Sequence, residues 1–243
     1  MDSVAMLMRF GLTNQEARIY WVLLSGGDLT GYETAKLTGI SRSNAYSALA
    51  GLVEKGAAFL VEGAATRYAP VFPEEFCGNI LHELESYRLE LVKKRPLPKR
   101  EPAGYITVTG EKQIFFKIRN MLESARERVY VSMSGEILER FLPELTELVR
   151  KKRKVVILTE APFLLEGATV YHAKNQRRQI RLIADSASVL TGDISDGEAS
   201  TCLFSQKDNL VDLFKESLKN EIALIELTRK KEAQKADRPS DAH

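Results

Sequence analysis

Cysteine is nearly absent: 243 residues hold two, Cys77 and Cys202, far apart in the chain. That pattern excludes a disulfide framework and fits a reducing compartment. Histidine is almost as scarce, with only His82, His172 and His243. Neither cysteine has a second Cys or a His at ligand spacing, so no zinc site is expected. No apolar run approaches the roughly 20 residues of a membrane span, and no membrane partner is expected. Met1-Asp2 opens without a basic segment or a small-residue cleavage site, so a secretory signal is not expected and a cytoplasmic location is. Catalytic signatures are missing too. There is no GxGxxG behind a strand, no phosphate loop ending in GKS or GKT, and no GxSxG elbow. No cofactor or metal is expected. Charge of one sign does not prevail either, since 35 Lys and Arg meet 33 Asp and Glu.

The length suffices for two domains, each burying a core. The first is organised around Thr30–Gly56. Thr30 with Glu33 three residues on is a capping box, in which Thr bonds the third helical N–H and Glu bonds back. Ser41 is an N-cap for a second helix. Gly39 between them gives the freedom that a sharp helix-to-helix corner needs. Ala45, Leu49, Leu52 and Val53 form an apolar stripe for a core. Arg42, Ser43, Tyr46, Ser47 and Ala50 fall opposite, beside Asn44, on a small polar face with one strong charge. Such residues bond base edges and phosphates in a major groove; an ordinary exposed helix face is the alternative. Ala58–Val61, a turn and Arg67–Ala69 read as a hairpin, a wing behind the recognition helix. Ahead of the pair, Thr13 and Glu16 form another box. Ala17, Tyr20, Trp21 and Leu24 on its helix are expected to close the core.

FGLTNQEARIYWVLL, the Thr30–Gly56 pair and a wing ending RYAPVFPEEF resemble the winged helix of the TrmB family of transcriptional regulators, over residues about 8–76. The resemblance implies a double-stranded DNA operator as partner. The candidate DNA-contacting residues are Thr30, Tyr32, Ser41, Arg42, Ser43, Asn44, Tyr46 and Ser47, with Thr66 and Arg67 in the wing. Residues 1–72 carry six basic and six acidic residues. Phosphate contacts supply much of DNA affinity, so local placement of charge or dimerisation must compensate.

Residues 73–95 supply a route to a homodimer. Pro73 suits a first helical position, with Glu74 and Glu75 in the first turn. Phe76, Ile80, Leu84, Tyr87 and Leu91 recur at heptad-like spacing, a short coiled-coil seam; packing on the helix's own domain is the alternative. Residues 96–104 are a Pro-rich linker. From 105 to 229, strands alternate with amphipathic helices, which indicates an α/β domain with a partly parallel sheet. Its helices are expected at Glu111–Ala125, Glu136–Lys152 and Asn209–Leu227. Residues 230–243 are polar and expected to be a disordered tail. The fold class is therefore α+β: a winged helix-turn-helix, a helical linker and an α/β domain.

His172-Ala-Lys174 has the HxK spacing of phospholipase D-like phosphodiesterases, whose His attacks phosphorus, and the strand-helix alternation resembles that fold. TrmB-like regulators carry such a domain behind the winged helix. That pattern wants an Asp where this chain has Gln179, and its Gly-Ser element is reduced to Thr191-Gly192-Asp193. A catalytic pair requires two such motifs, from two halves or two chains; a degenerate fold with a binding pocket is expected, and no enzyme. His172, Lys174, Arg177, Arg178 and Arg181 are the candidate effector-binding group, suited to a sugar or phosphorylated metabolite through Arg forks; a solvated charged loop is the alternative. The residues together read as a dimeric, sequence-specific DNA-binding transcriptional regulator. The alternatives are a non-regulatory DNA-binding protein and a phospholipase D-like phosphodiesterase.

Overall fold

The computed structural model describes residues 2–96, 104–173, 179–194 and 200–236, of which 232–236 are backbone alone, and divides into the units Met1–Leu97 and Pro98–His243. In the first unit, α1 (Ser3–Leu7) and a 3-10 turn lead to α2 (Asn14–Gly26), β1 (Leu29–Thr30), α3 (Gly31–Thr38) and α4 (Arg42–Glu54). The hairpin β2 (Ala58–Val61) and β3 (Arg67–Pro70) follows, then α5 (Pro73–Lys93). Both capping boxes form: Thr13 and Glu16 start α2, Thr30 and Glu33 start α3. Gly39 closes α3 at φ 69°, in the left-handed region open to glycine. The antiparallel strands run β1-β3-β2, which pins the wing to the segment before α3.

Ala17, Ile19, Tyr20 and Leu23 of α2 pack with Ala45, Ala48, Leu49 and Leu52 of α4 in one core. Each fully buried Leu or Ile contributes about 1.5–3 kcal/mol. Trp21 does not join them: it is 48% exposed, and Leu24 only borders the core. Ala17 and Tyr20 face the core as expected, while Ile19 and Leu23 take the places expected of Trp21 and Leu24. Glu16 is buried as well, its carboxylate 2.6 Å from Lys55 Nζ beyond α4. Burial opposes its charge, but the Lys55 and Thr13 hydrogen bonds hold its pKa below the ordinary carboxylate value.

The α5 seam divides in two. Phe76 is buried in its own unit, its ring 5.6 Å from that of Tyr20, whose hydroxyl donates to Val71 O at 2.6 Å. Ile80 borders the same core. These two positions are therefore spent internally, a correction to a seam beginning at Phe76. Leu84, Tyr87 and Leu91 are exposed, as are Leu81 and Val92.

The second unit runs β4 (Tyr105–Thr109), α6 (Glu111–Ser124), β5 (Arg128–Ser132), α7 (Gly135–Glu139), α8 (Leu142–Arg150), β6 (Lys154–Thr159) and β7 (Thr169–His172). It continues through β8 (Gln179–Ala184), β9 (Ser188–Asp193), β10 (Thr201–Ser205) and α9 (Asp208–Ala236). Among the described residues these strands form one sheet in the order β4-β10-β9-β8-β5-β6-β7. β5, β6 and β7 are parallel neighbours and the remaining pairs are antiparallel. One face carries α6 and α8 over Val129, Val131, Ile157 and Leu182. The other carries α9 over Leu158, Ile183 and Val189.

Two expectations change here. The single helix 136–152 is two helices, because Pro143 in the first turn of α8 has no N–H to continue the ladder from α7. The tail expected from residue 230 is helical through Ala236. Its Lys, Glu, Ala and Gln residues are good helix formers, which outweighs the polarity that suggested disorder. Residues 97–103 of the linker and 237–243 of the tail lie outside the described residues.

Candidate nucleic-acid interface

The crossing of α3 and α4 is tightened at one point. Gly31, the first residue of α3, is buried under the ring of Tyr46 from α4. A β-carbon at Gly31 would stand 2.5 Å from Tyr46 Cζ and 2.8 Å from Cδ1. Only glycine lets the ring lie there. Beside it, the Arg42 guanidinium sits 4.6 Å from the centroid of the Tyr32 ring. A stacked guanidinium keeps its N–H fork in one plane, pre-organised for a planar acceptor. Ser43, Asn44 and Ser47 are exposed on the same helix, and about half of each of Tyr32 and Tyr46 remains open to solvent. The outward faces of α3 and α4 thus present an oriented cation, two aromatic rings and short polar groups.

Other candidates are committed to the fold. Thr30 donates its hydroxyl proton to Glu33 Oε2 at 2.9 Å and accepts from Glu33 N at 3.2 Å. The backbone and side-chain hydrogen bonds from Thr30, with Arg67 nearby, hold the Glu33 pKa below its ordinary value. Ser41 accepts from Asn44 N at 3.4 Å as the cap of α4. Thr66 is exposed in the wing turn. Arg67 is held by acids: Nε stands 3.2 Å from Asp28 Oδ2, Nη2 3.5 Å from Glu33 Oε2, and Nη2 donates to Asp28 O at 2.7 Å. That arginine ties β3 to the turn before β1. Lys55 is likewise bonded, to Glu16 and to Gly11 O at 2.9 Å. On α3 and α4 themselves, the cations are Lys36 and Arg42, both exposed.

The residues that sequence reasoning missed are Gly31, Asp28 and the Glu16–Lys55 pair. A glycine directly after a helix cap, where better helix formers compete, is the signal that Gly31 gave. The others depend on contacts between distant segments and left no local trace.

In the second unit, two members of the expected effector group, His172 and Arg181, are among the described residues, and they do not lie together. Lys174, Arg177 and Arg178 lie outside the described residues. His172 ends the edge strand β7 and is exposed. Arg181 is not at the rim of the sheet. It lies under α9, with Nη2 2.8 Å from Glu221 Oε2 and donating to Ser132 Oγ at 2.9 Å. In register, Arg181 pairs with Ser132, Ser132 with Leu158 and Leu158 with Tyr171. Arg181 is therefore three strand spacings from β7, about 14 Å. His172, next to Tyr171, points to the opposite face.

Comparison with known proteins gives two matches to family models. The family described as the sugar-specific transcriptional regulator TrmB matches residues 7–74. The N-terminal subdomain of the TrmB effector-binding domain (EBD) matches residues 104–217. An uncharacterized protein of Bacillus subtilis, YrhO, is 25% identical over 92% of this chain and 86% of its own length. The sugar-sensing regulator TrmBL1 of Pyrococcus furiosus is 29% identical over 65% of this chain, which spans 46% of that protein. Among solved structures, TrmBL2, described as an archaeal chromatin protein, is 21% identical, with a TM-score of 0.43, covering 90% of this chain and 96% of that one. The structural likeness is weak, and the family assignment rests on the two model matches.

Proposed function

The chain belongs to the TrmB family of DNA-binding transcriptional regulators, and we propose that it acts as a dimer reading a specific operator half-site with the exposed face of α4. The observation that carries this reading is Arg42 stacked on Tyr32, flanked by Ser43, Asn44 and Ser47. A planar fork held in place suits bidentate contact with guanine, and Asn suits adenine. With Arg67 and Lys55 engaged by acids, one subunit brings few free cations to the phosphates. Pairing two subunits doubles that number, and Leu84, Tyr87 and Leu91 of α5 offer the apolar surface for it.

We read the second unit as the part that responds to a small-molecule effector, a sugar or phosphorylated metabolite, in keeping with the family model that matches it. We read the chain as a non-enzyme, as the functionally named relatives are regulators. No described helix is long and apolar enough to cross a membrane. A DNA partner implies action in the cytoplasm.

The test is selection of bound duplexes from a random pool, followed by footprinting of the enriched sequence with wild type and Arg42→Ala. The expected result is a two-fold symmetric site, bound about 1–3 kcal/mol more weakly by the variant. A pool with no enriched sequence would overturn specific readout and favour an architectural DNA-binding role.

A further inference from the structure

A cleft of about 480 Å³ opens on the second unit between α6 and the α7–α8 turn. It belongs to neither the DNA-facing surface nor the His172 region. Its floor is aromatic: Phe115 and Phe141 meet edge to face with centroids 5.6 Å apart, and Phe116 beside them is 44% exposed. Its rim is basic. Arg140 lies 4.9 Å over the Phe115 ring, Lys112 5.4 Å over Phe116, and Arg119 5.9 Å over Phe141.

The sequence builds this arrangement simply. Ile114, Ile118, Met121 and Leu122 turn the apolar stripe of α6 into the core. Lys112, Phe116 and Arg119 then recur at spacings of four and three on its flank, one stacked above the next. The break at Pro143 ends α7 early and brings Arg140 and Phe141 against that flank.

The cations are unequal in commitment. Arg119 is bound to the nearly buried Glu144 at 2.5 Å. Arg140 holds Glu111 at 3.1 Å in a pair with both partners about half exposed. Exposed pairs of this kind contribute little, so a ligand anion can replace Glu111. Among the described residues, the Lys112 ammonium faces only a ring. The cleft therefore offers two cations to an incoming anion and phenylalanine faces to the body that carries it. Its volume falls within the range of small-molecule sites, whose walls are mostly apolar with a few placed polar groups.

We propose that this cleft binds a small ring compound bearing a phosphate or carboxylate, with Arg140 and Lys112 holding the anion and Phe116 packing on the ring. The proposal rests on the reading of the second unit as effector-responsive, and it gives that response a site. The shared chemistry is an anion on a ring; saturated and flat rings are separated by experiment.

The experiment is isothermal titration of the full chain with glucose 6-phosphate, 4-nitrophenyl phosphate, benzoate and inorganic phosphate. At least one ring anion should bind, and inorganic phosphate should bind at least about tenfold more weakly, lacking the ring. Lys112→Gln with Arg140→Gln should weaken the ring anion by about tenfold or more, with the melting curve unchanged. Phe116→Ala removes an exposed ring without touching the charges, and should cost affinity for ring anions while leaving inorganic phosphate unaffected. No binding of any ring anion, or equal binding by all three proteins, would overturn the site. DNA affinity of the same variants without ligand is measured separately and is expected to match wild type. A loss there would strike at the division of labour between the units, whereas a failed titration strikes only at the cleft.

Discussion

Gly31→Ala is the sharpest probe of how α3 and α4 share the proposed DNA-facing surface. The added β-carbon would stand 2.5 Å from Tyr46 Cζ and 2.8 Å from Cδ1. Carbon atoms settle at about 3.5–4.0 Å, so the ring must retreat by roughly 1 Å or more. Tyr46 is half exposed and has room to swing outward. Overpacking of about 1–3 kcal/mol is thereby largely relieved, and alanine gains about 0.5–1 kcal/mol over glycine in a helix. The two effects nearly cancel, so thermal unfolding followed by circular dichroism should show a stability change within about 1 kcal/mol. DNA binding should respond differently, because the displaced ring changes the surface beside Arg42. A gel-shift titration on the selected duplex should show affinity falling by about tenfold, which is about 1.4 kcal/mol. A double-mutant cycle isolates the cause: in a Tyr46→Ala background, Gly31→Ala should have no further effect. Unchanged affinity in Gly31→Ala, or losses that simply add in the cycle, would refute the reasoning.

Leu84→Glu with Leu91→Glu places charges on the exposed part of the α5 seam, and light scattering should then report a monomer with an unshifted melting temperature; a persistent dimer would put the interface elsewhere. Asp185 accepts amides from Arg126 and Glu127 at 2.8 Å and from Arg128 at 3.0 Å. Burial opposes its charge, but those three bonds together hold its carboxyl below the ordinary value. Its contribution is therefore present above the unfolded value near 3.9 and lost as pH falls through the lower folded value. Asp185→Asn keeps the left-handed backbone at φ 52° and should cost about 1–2 kcal/mol at pH 7. The gap in melting should close as pH falls through the lowered folded value, and a constant gap would contradict this account. His172→Ala should leave DNA binding intact, and neither it nor wild type should hydrolyse bis(4-nitrophenyl) phosphate; turnover lost on substitution would restore the phosphodiesterase reading.

The elements most legible in the chain were those decided locally. Thr13-x-x-Glu16 and Thr30-x-x-Glu33 fix helix starts within four residues, and both boxes formed. Lys154–Thr159 is a strand because five of its six residues are apolar or β-branched and buried on both faces. Periodicity alone did not set phase: Trp21 and Ile19 both fit a helical stripe, and only packing against α4 chose Ile19. Arg67 read as a wing cation because its partner Asp28 lies 39 residues away. Arg181 read as an effector-binding residue because its commitment to Glu221 depends on α9 closing over the sheet. At the interface, the exposed α4 face was visible in the spacing of Arg42, Ser43, Tyr46 and Ser47. Its stacking on Tyr32 and its seat on Gly31 were not, because both arise from the angle at which two helices cross.

The capture of Arg67 by Asp28 and Glu33 bears on ionic strength. Each neutralised phosphate releases condensed counterions, and the logarithm of affinity falls with that of salt at about −0.9 per contact. If Lys36 and Arg42 are the only cations of each subunit that displace counterions, two subunits bring about four charges and the slope is about −3.6. Raising salt from 50 to 200 mM should then weaken binding by only about a hundredfold, where DNA-binding proteins with eight or more phosphate contacts lose far more. Asp28→Asn, by loosening the hold on Arg67, should steepen that slope toward about −5 and raise affinity most at low salt. The acids around Arg67 would thus set how far this protein's occupancy of DNA follows the salt content of the cell.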